Sequence, residues 1–133
     1  MSETERPNVI LILVDDMGFS DLGCMGSEIQ TPNIDVLARE GVLLSSMYNC
    51  ARCCPTRASV LTGLYAHRAG IGQMGVDFGT PAYQGHLRDD AVTIAETRRE
   101  AGYRTLVSGK WDVGGEYDAR VIDTWQPGTD GRP

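Results

Sequence analysis

The first clear pattern is NVILILV, residues 8–14, an unbroken run of β-branched residues and leucines after a polar start. A strand buried on both faces reads this way, whereas a half-solvated strand alternates. The run stops at Asp15-Asp16 and a glycine-rich loop follows. In TPNIDVLAREG, residues 31–41, the spacing turns helical. Thr31 is placed to cap, Pro32 takes the first helical position, and Gly41 stands just past the end. Ile34, Leu37 and Ala38 share one face of that helix. VLLSSMY, residues 42–48, predicts a second strand. PTRASVLTG, residues 55–63, predicts a helix opened by Pro55 and closed by Gly63. Residues 64–90 hold many glycines, with Pro81 and no periodicity, so a long surface loop is expected. TIAETRREAG, residues 93–102, places Thr93 and Glu96 at capping-box spacing and stops at Gly102. YRTLVSGKW, residues 103–111, returns as a strand. Strand, helix and strand in this order predict parallel βαβ units within an α/β sheet. Residues 1–6 are expected to form a flexible leader. Residues 114–133 are turn-rich and read as a chain ending in mid-domain.

Composition narrows the function classes. The chain has 133 residues, enough for one domain or part of one. Twelve basic against eighteen acidic residues give a net charge of −6, which argues against nucleic acid and anionic membrane surfaces as partners. The start, MSETERPNV, lacks the basic and apolar regions of a signal peptide. The longest apolar run, VILILV, is too short to span a bilayer. A cytoplasmic location is therefore expected. There, the four cysteines are better read as free, metal-bound or catalytic than as paired.

The candidate chemistry sits at the predicted element ends. Asp15 and Asp16 follow a buried strand, where open α/β sheets place ligands. Two hard oxygen donors suit Ca²⁺ or Mg²⁺, and a solvated turn is the plainer alternative. Cys50 and Cys53 form a C-x-x-C pair, which is half a zinc site or a redox pair. No second pair completes the first, and Cys54-Pro55 does not fit the second. Cys24, Cys50 and Cys54 are expected to be small buried hydrophobes. Cys53 stands apart, just ahead of a helix whose first turn carries Arg57. A helix N-terminus and a guanidinium both favour a tetrahedral oxyanion facing residue 53.

The run CCPTRASVLTG, residues 53–63, resembles the sulfatase motif C-x-P-[ST]-R followed by a helix ending in T-G. PNVILILVDDMGFSDLGCMG resembles the first strand of that family with its metal-binding Asp pair. TPNIDVLAREGV resembles the segment after it, and AGYRTLVSGKWDVGG resembles the family's G-K-W-H stretch. The resemblance spans residues 7 to 128. It implies an alkaline-phosphatase-like α/β core, a mostly parallel sheet flanked by helices, of which this chain is the N-terminal portion.

It further implies a sulfuric ester hydrolase of arylsulfatase type. Cys53 resembles the cysteine that a separate generating enzyme converts to formylglycine. The aldehyde hydrates, one oxygen attacks sulfur and releases the alcohol, and the second hydroxyl expels sulfate to restore the aldehyde. Asp15 and Asp16, with residue 53, resemble ligands of a divalent cation, Ca²⁺ foremost and Mg²⁺ next. Arg57 resembles the residue that holds the formylglycine oxygen. Lys110 resembles a sulfate contact. Asp112 stands where the family has histidine, and a carboxylate there repels a sulfate anion. His67 and His86 are expected to be structural or solvated. A phosphate ester hydrolase of the same superfamily and an inactive fragment are the alternatives. The implied partners are a small-molecule or carbohydrate sulfate ester and the generating enzyme. Asp15, Asp16, Cys53, Arg57 and Lys110 are expected to meet at one sheet edge.

Overall fold

The computed structural model describes residues 6–114 and the backbone of residues 124–126. The chain divides into two compact units, Met1–Met47 and Tyr48–Pro133.

In the first unit a 3-10 turn, Gly23–Met25, precedes helix α1, Pro32–Glu40. The helix starts at Pro32 as its pattern requires, but Thr31 does not cap it with its side chain. The Thr31 hydroxyl is engaged elsewhere. It accepts from the Gly23 N–H and donates to Asp35, both at 2.8 Å. The Cys24 N–H also donates to Asp35 at 2.8 Å, so one carboxylate in the first turn of α1 holds the 3-10 turn. A Cβ on Gly23 would lie 2.6 Å from that carboxylate, so a larger residue there would have to displace it.

Residues 8–14 form no strand, and the strand expected over 42–48 is likewise absent. The cause is the same in both. A strand is completed by ladder bonds to a neighbour, and no described residue supplies one to either segment. The apolar run therefore stands in solvent, with Ile10 82% exposed.

The second unit carries helices α2, Cys53–Thr62, α3, Ala66–Ala69, and α4, Ile94–Glu100. Helix α2 begins at Cys53, two residues ahead of the expected Pro55. Pro55 is then the third helical residue, still in the turn whose N–H groups lack intrahelical acceptors, so its missing donor costs nothing there. Gly63 closes α2 in the left-handed conformation, φ 69°, and its N–H reaches the Ser59 carbonyl. The expected loop over 64–90 contains α3 and one antiparallel bridge between Ile71 and Tyr83. Elements this short leave no periodicity to read.

Thr93 and Glu96 form the expected capping box at α4. The Glu96 N–H donates to the Thr93 hydroxyl at 3.2 Å, and the Thr93 N–H donates to the Glu96 carboxylate at 2.7 Å. Thr93 is buried, so its loss cannot be repaired by water. Thr93→Ala is expected to cost about 1–2 kcal/mol, read as a lower urea midpoint. An unchanged midpoint would remove the capping box from the stability of this unit.

Strand β1, Leu106–Ser108, is shorter than the predicted 103–111 and pairs in parallel with β2, Thr124–Gln126. Val107 stands opposite Trp125 in the register. This parallel pair agrees with the expected α/β class. The core gathers Cys54 and Ala58 of α2, Ala69 of α3, Ile71, Trp111 and Val113. It joins the start of α2 to the segment that follows β1.

Candidate active site

The site is assembled where α2 meets the end of the β1 segment. Trp111 and Val113 are buried and fasten this segment into the core, which leaves Lys110 exposed and Asp112 half-buried at its surface. The Trp111 indole N–H donates to the Gly114 carbonyl at 3.3 Å. Asp112 is left-handed, φ 56°, a conformation that favours Asn, Asp and His among side-chain-bearing residues. From the other side, Arg57 donates through Nη1 to the Lys110 carbonyl at 2.7 Å. One guanidinium thus clips α2 to the backbone of the facing segment.

Cys53 opens α2, half-buried, and its thiol donates to the Met74 sulfur at 3.5 Å. The Cys53 and Cys54 sulfurs and a carboxylate oxygen of Asp112 lie within 4.8 Å of one another. Lys110 Nζ stands 3.3 Å from Asp112 Oδ2, close enough for an ion pair but not aligned as a hydrogen bond. The Coulomb attraction survives this geometry, because it depends on distance rather than direction.

Two ionisations are displaced. Burial opposes the charge on Asp112, but the neighbouring Cys53 and Cys54 thiols and the Lys110 ammonium outweigh it. The Asp112 carboxyl is held below its ordinary range and is an anion at neutral pH. Cys54 moves the other way. Burial, aided by the neighbouring Asp112 charge and opposed by a backbone hydrogen bond from Gly75, pushes its thiol up to about 11. Cys54 is therefore a neutral thiol at pH 7.

Asp15 and Asp16 belong to the first unit, where both are exposed. The Asp16 N–H donates to Asp15 Oδ1 at 3.2 Å, and Asp16 is left-handed at φ 54°. Two adjacent carboxylates are a donor set fitted to a hard cation. The structure brings Cys53, Arg57, Lys110 and Asp112 together within the second unit.

The remaining expectations divide. Cys54 is buried as predicted, but Cys24 is only half-buried and Cys50 is exposed. The Cys50 sulfur lies 3.4 Å from the Ser59 hydroxyl, one helical turn past Thr56, whose own hydroxyl accepts from the Cys50 N–H at 3.2 Å. Being held against the side of α2 is what keeps Cys50 out of a core position. His67 is exposed and meets the Tyr83 hydroxyl at 3.1 Å, with the rings edge to face. His86 is exposed beside Gln84, 3.1 Å away. Sequence reasoning missed two groups at the site. Met74 lies in a stretch without periodicity and gave no signal. The thiol of Cys54 could have been suspected from its adjacency to Cys53.

The sulfatase family model matches residues 7–126. The chain belongs to the sulfatase family. It is 44% identical over 121 residues to an uncharacterized sulfatase of Schizosaccharomyces pombe, covering 85% of this chain and 22% of that protein. It is 41% identical over 116 residues to an arylsulfatase of Klebsiella aerogenes, covering 85% of this chain and 25% of the relative. The chain thus spans about a quarter or less of the length of these relatives. Among solved structures, the crystal structure of Ps i-CgsB superposes with a TM-score of 0.79 at 35% identity, over 92% of this chain and 28% of that one. The architecture is accordingly part of an α/β sulfatase core. No described helix is long and apolar enough to cross a membrane.

Proposed function

We propose that this chain carries the nucleophile-bearing part of a sulfuric ester hydrolase of arylsulfatase type. Cys53 is assigned as the precursor of formylglycine, made by a separate generating enzyme. One observation supports this above others. In a sulfatase-family chain, the cysteine with Pro at +2 and Arg at +4 opens a ten-residue helix, with its sulfur within 4.8 Å of the Asp112 carboxylate.

Once formed, formylglycine would supply a hydrated aldehyde, a recyclable oxygen nucleophile toward sulfur. A divalent cation, Ca²⁺ or in second place Mg²⁺, would supply Lewis acidity, with Asp15 and Asp16 as its carboxylate ligands. The other residues act directly on the substrate anion. The free N–H groups and dipole of α2 attract a sulfate group toward residue 53. Lys110 is exposed and its ammonium is long enough to turn from Asp112 to a sulfate oxygen. Arg57 fixes the distance between α2 and Lys110 and adds a second positive charge. Asp112 works against the anion, and its contact with Lys110 must loosen when sulfate enters.

The experiment is a peptide map by mass spectrometry after co-expression with a formylglycine-generating enzyme. Conversion is expected at Cys53 alone among the four cysteines. Cys54 is followed directly by Pro55, has Ala58 at +4 and is buried. Conversion at Cys54, or a Cys53 that stays a thiol, would overturn the assignment.

A further inference from the structure

Before any conversion, Cys53, Cys54 and Asp112 present two sulfurs and one carboxylate oxygen to a common point. Sulfate ester chemistry has no use for the Cys54 thiol. We propose that these three side chains form a binding site for a borderline-soft divalent cation of the zinc class, filled while residue 53 is still a cysteine.

The dimensions suit such an ion. Bonds of about 2.3 Å to sulfur and 2.0–2.2 Å to carboxylate oxygen place tetrahedral donors roughly 3.5–3.8 Å apart. The three donor atoms already lie within 4.8 Å of one another, so small side-chain rotations close the site. The charges suit it as well. Lys110 and Asp112 offset one another at 3.3 Å. A dication that displaces two thiol protons leaves the net charge of the cluster unchanged, so no uncompensated charge is buried. Met74 Sδ, 3.5 Å from the Cys53 sulfur, adds a polarisable wall.

The chemistry also selects against the alternatives. Two thiolates are poor ligands for Ca²⁺ and Mg²⁺ and good ones for Zn²⁺. The site is therefore different in kind from the carboxylate pair Asp15 and Asp16. It is also not the C-x-x-C pair of the sequence, because Cys50 is occupied with Ser59. Thiols bind a zinc-class ion as thiolates, so protons must leave and affinity should climb with pH. None of this depends on formylglycine formation, and the two readings fail separately.

The test uses the chain in its all-thiol form, kept reduced with a phosphine, and Co²⁺ as a spectroscopic stand-in for Zn²⁺. One equivalent of Co²⁺ should give a thiolate-to-cobalt charge-transfer band with the strong visible bands of tetrahedral cobalt. Zn²⁺ should displace it, and proton release should approach two. Cys53→Ser should weaken binding by about 100-fold or more, since even loss of an outer-shell partner costs 10–100-fold. Asp112→Asn keeps the backbone conformation and should weaken binding by about tenfold or more. Cys50→Ala should bind as the parent does. Absence of the band at one equivalent, its survival in Cys53→Ser, or its loss in Cys50→Ala would each overturn the proposal.

Discussion

Asp112→Asn is expected to tighten the binding of inorganic sulfate to this chain by about tenfold to a hundredfold. The carboxylate shares the Cys53 end of α2, where the anion is proposed to sit. At a separation of about 4 Å and an effective dielectric of about 20, two like charges repel by roughly 4 kcal/mol. That is an upper figure. The Asp112 side chain is 25% exposed and Lys110 offsets part of its field. About 1.4–2.7 kcal/mol remains, which is the stated range in affinity. Calorimetric titration of both proteins with sulfate measures it, and equal affinities would show that Asp112 does not oppose the anion.

The same carboxylate predicts a pH signature. Its folded-state pKa lies below the ordinary value of 3.8. The parent should therefore bind sulfate with constant weakness from neutral pH down through the ordinary carboxylate range, and improve only below it. The Asn variant should show no such turn. The sign for folding is the reverse. A depressed carboxyl stabilises the fold above its unfolded pKa, and that contribution is lost as pH falls through the lower folded value.

Trp111→Ala should destabilise the second unit by about 3–5 kcal/mol, the usual cost of emptying a buried aromatic site. The indole is 5% exposed and packs among Cys54, Ala58, Ala69, Ile71 and Val113. Domains of ordinary stability hold only about 5–15 kcal/mol in reserve, so this is a large share of the total. Urea denaturation followed by far-ultraviolet circular dichroism measures this. A loss below about 1 kcal/mol, the range of ordinary surface changes, would take Trp111 out of the core. Because Lys110 and Asp112 flank the indole, the substitution should also abolish the cobalt site, whereas a substitution at the exposed Tyr65 should leave it intact.

The helices were legible because their signals are local. Pro32, the Thr93-Glu96 pair and the glycine at 63 act within a turn or two of their own backbone. The strands at 8–14 and 42–48 were misread for the opposite reason. β-branched runs state what a segment would do beside a partner, and a strand is made by that partner. Strand β1 formed because β2 lies alongside it. At the site, Cys53 and Arg57 were legible from one contiguous motif. Lys110 and Asp112 entered through a second motif more than fifty residues away, and only resemblance to the sulfatase family linked the two. What joins them physically is the Arg57 hydrogen bond to the Lys110 carbonyl, a contact between main chain and side chain that no residue pattern encodes. Met74 was illegible for a similar reason, since its role follows from where a nonperiodic loop happens to pass.

The left-handed backbone at Asp112 has a consequence for how this position can vary. Most side chains are strained at φ 56°, and Asn, Asp and His are among the few that adopt it readily. The histidine of the family motif and the aspartate found here both belong to that short set. An exchange between them alters charge, proton-donating capacity and metal preference while the main chain follows the same path. The backbone at residue 112 thus favours a short set, glycine and the polar Asn, Asp and His, and stays nearly indifferent to which of them is present, so the charge at this position can change with little penalty in foldedness.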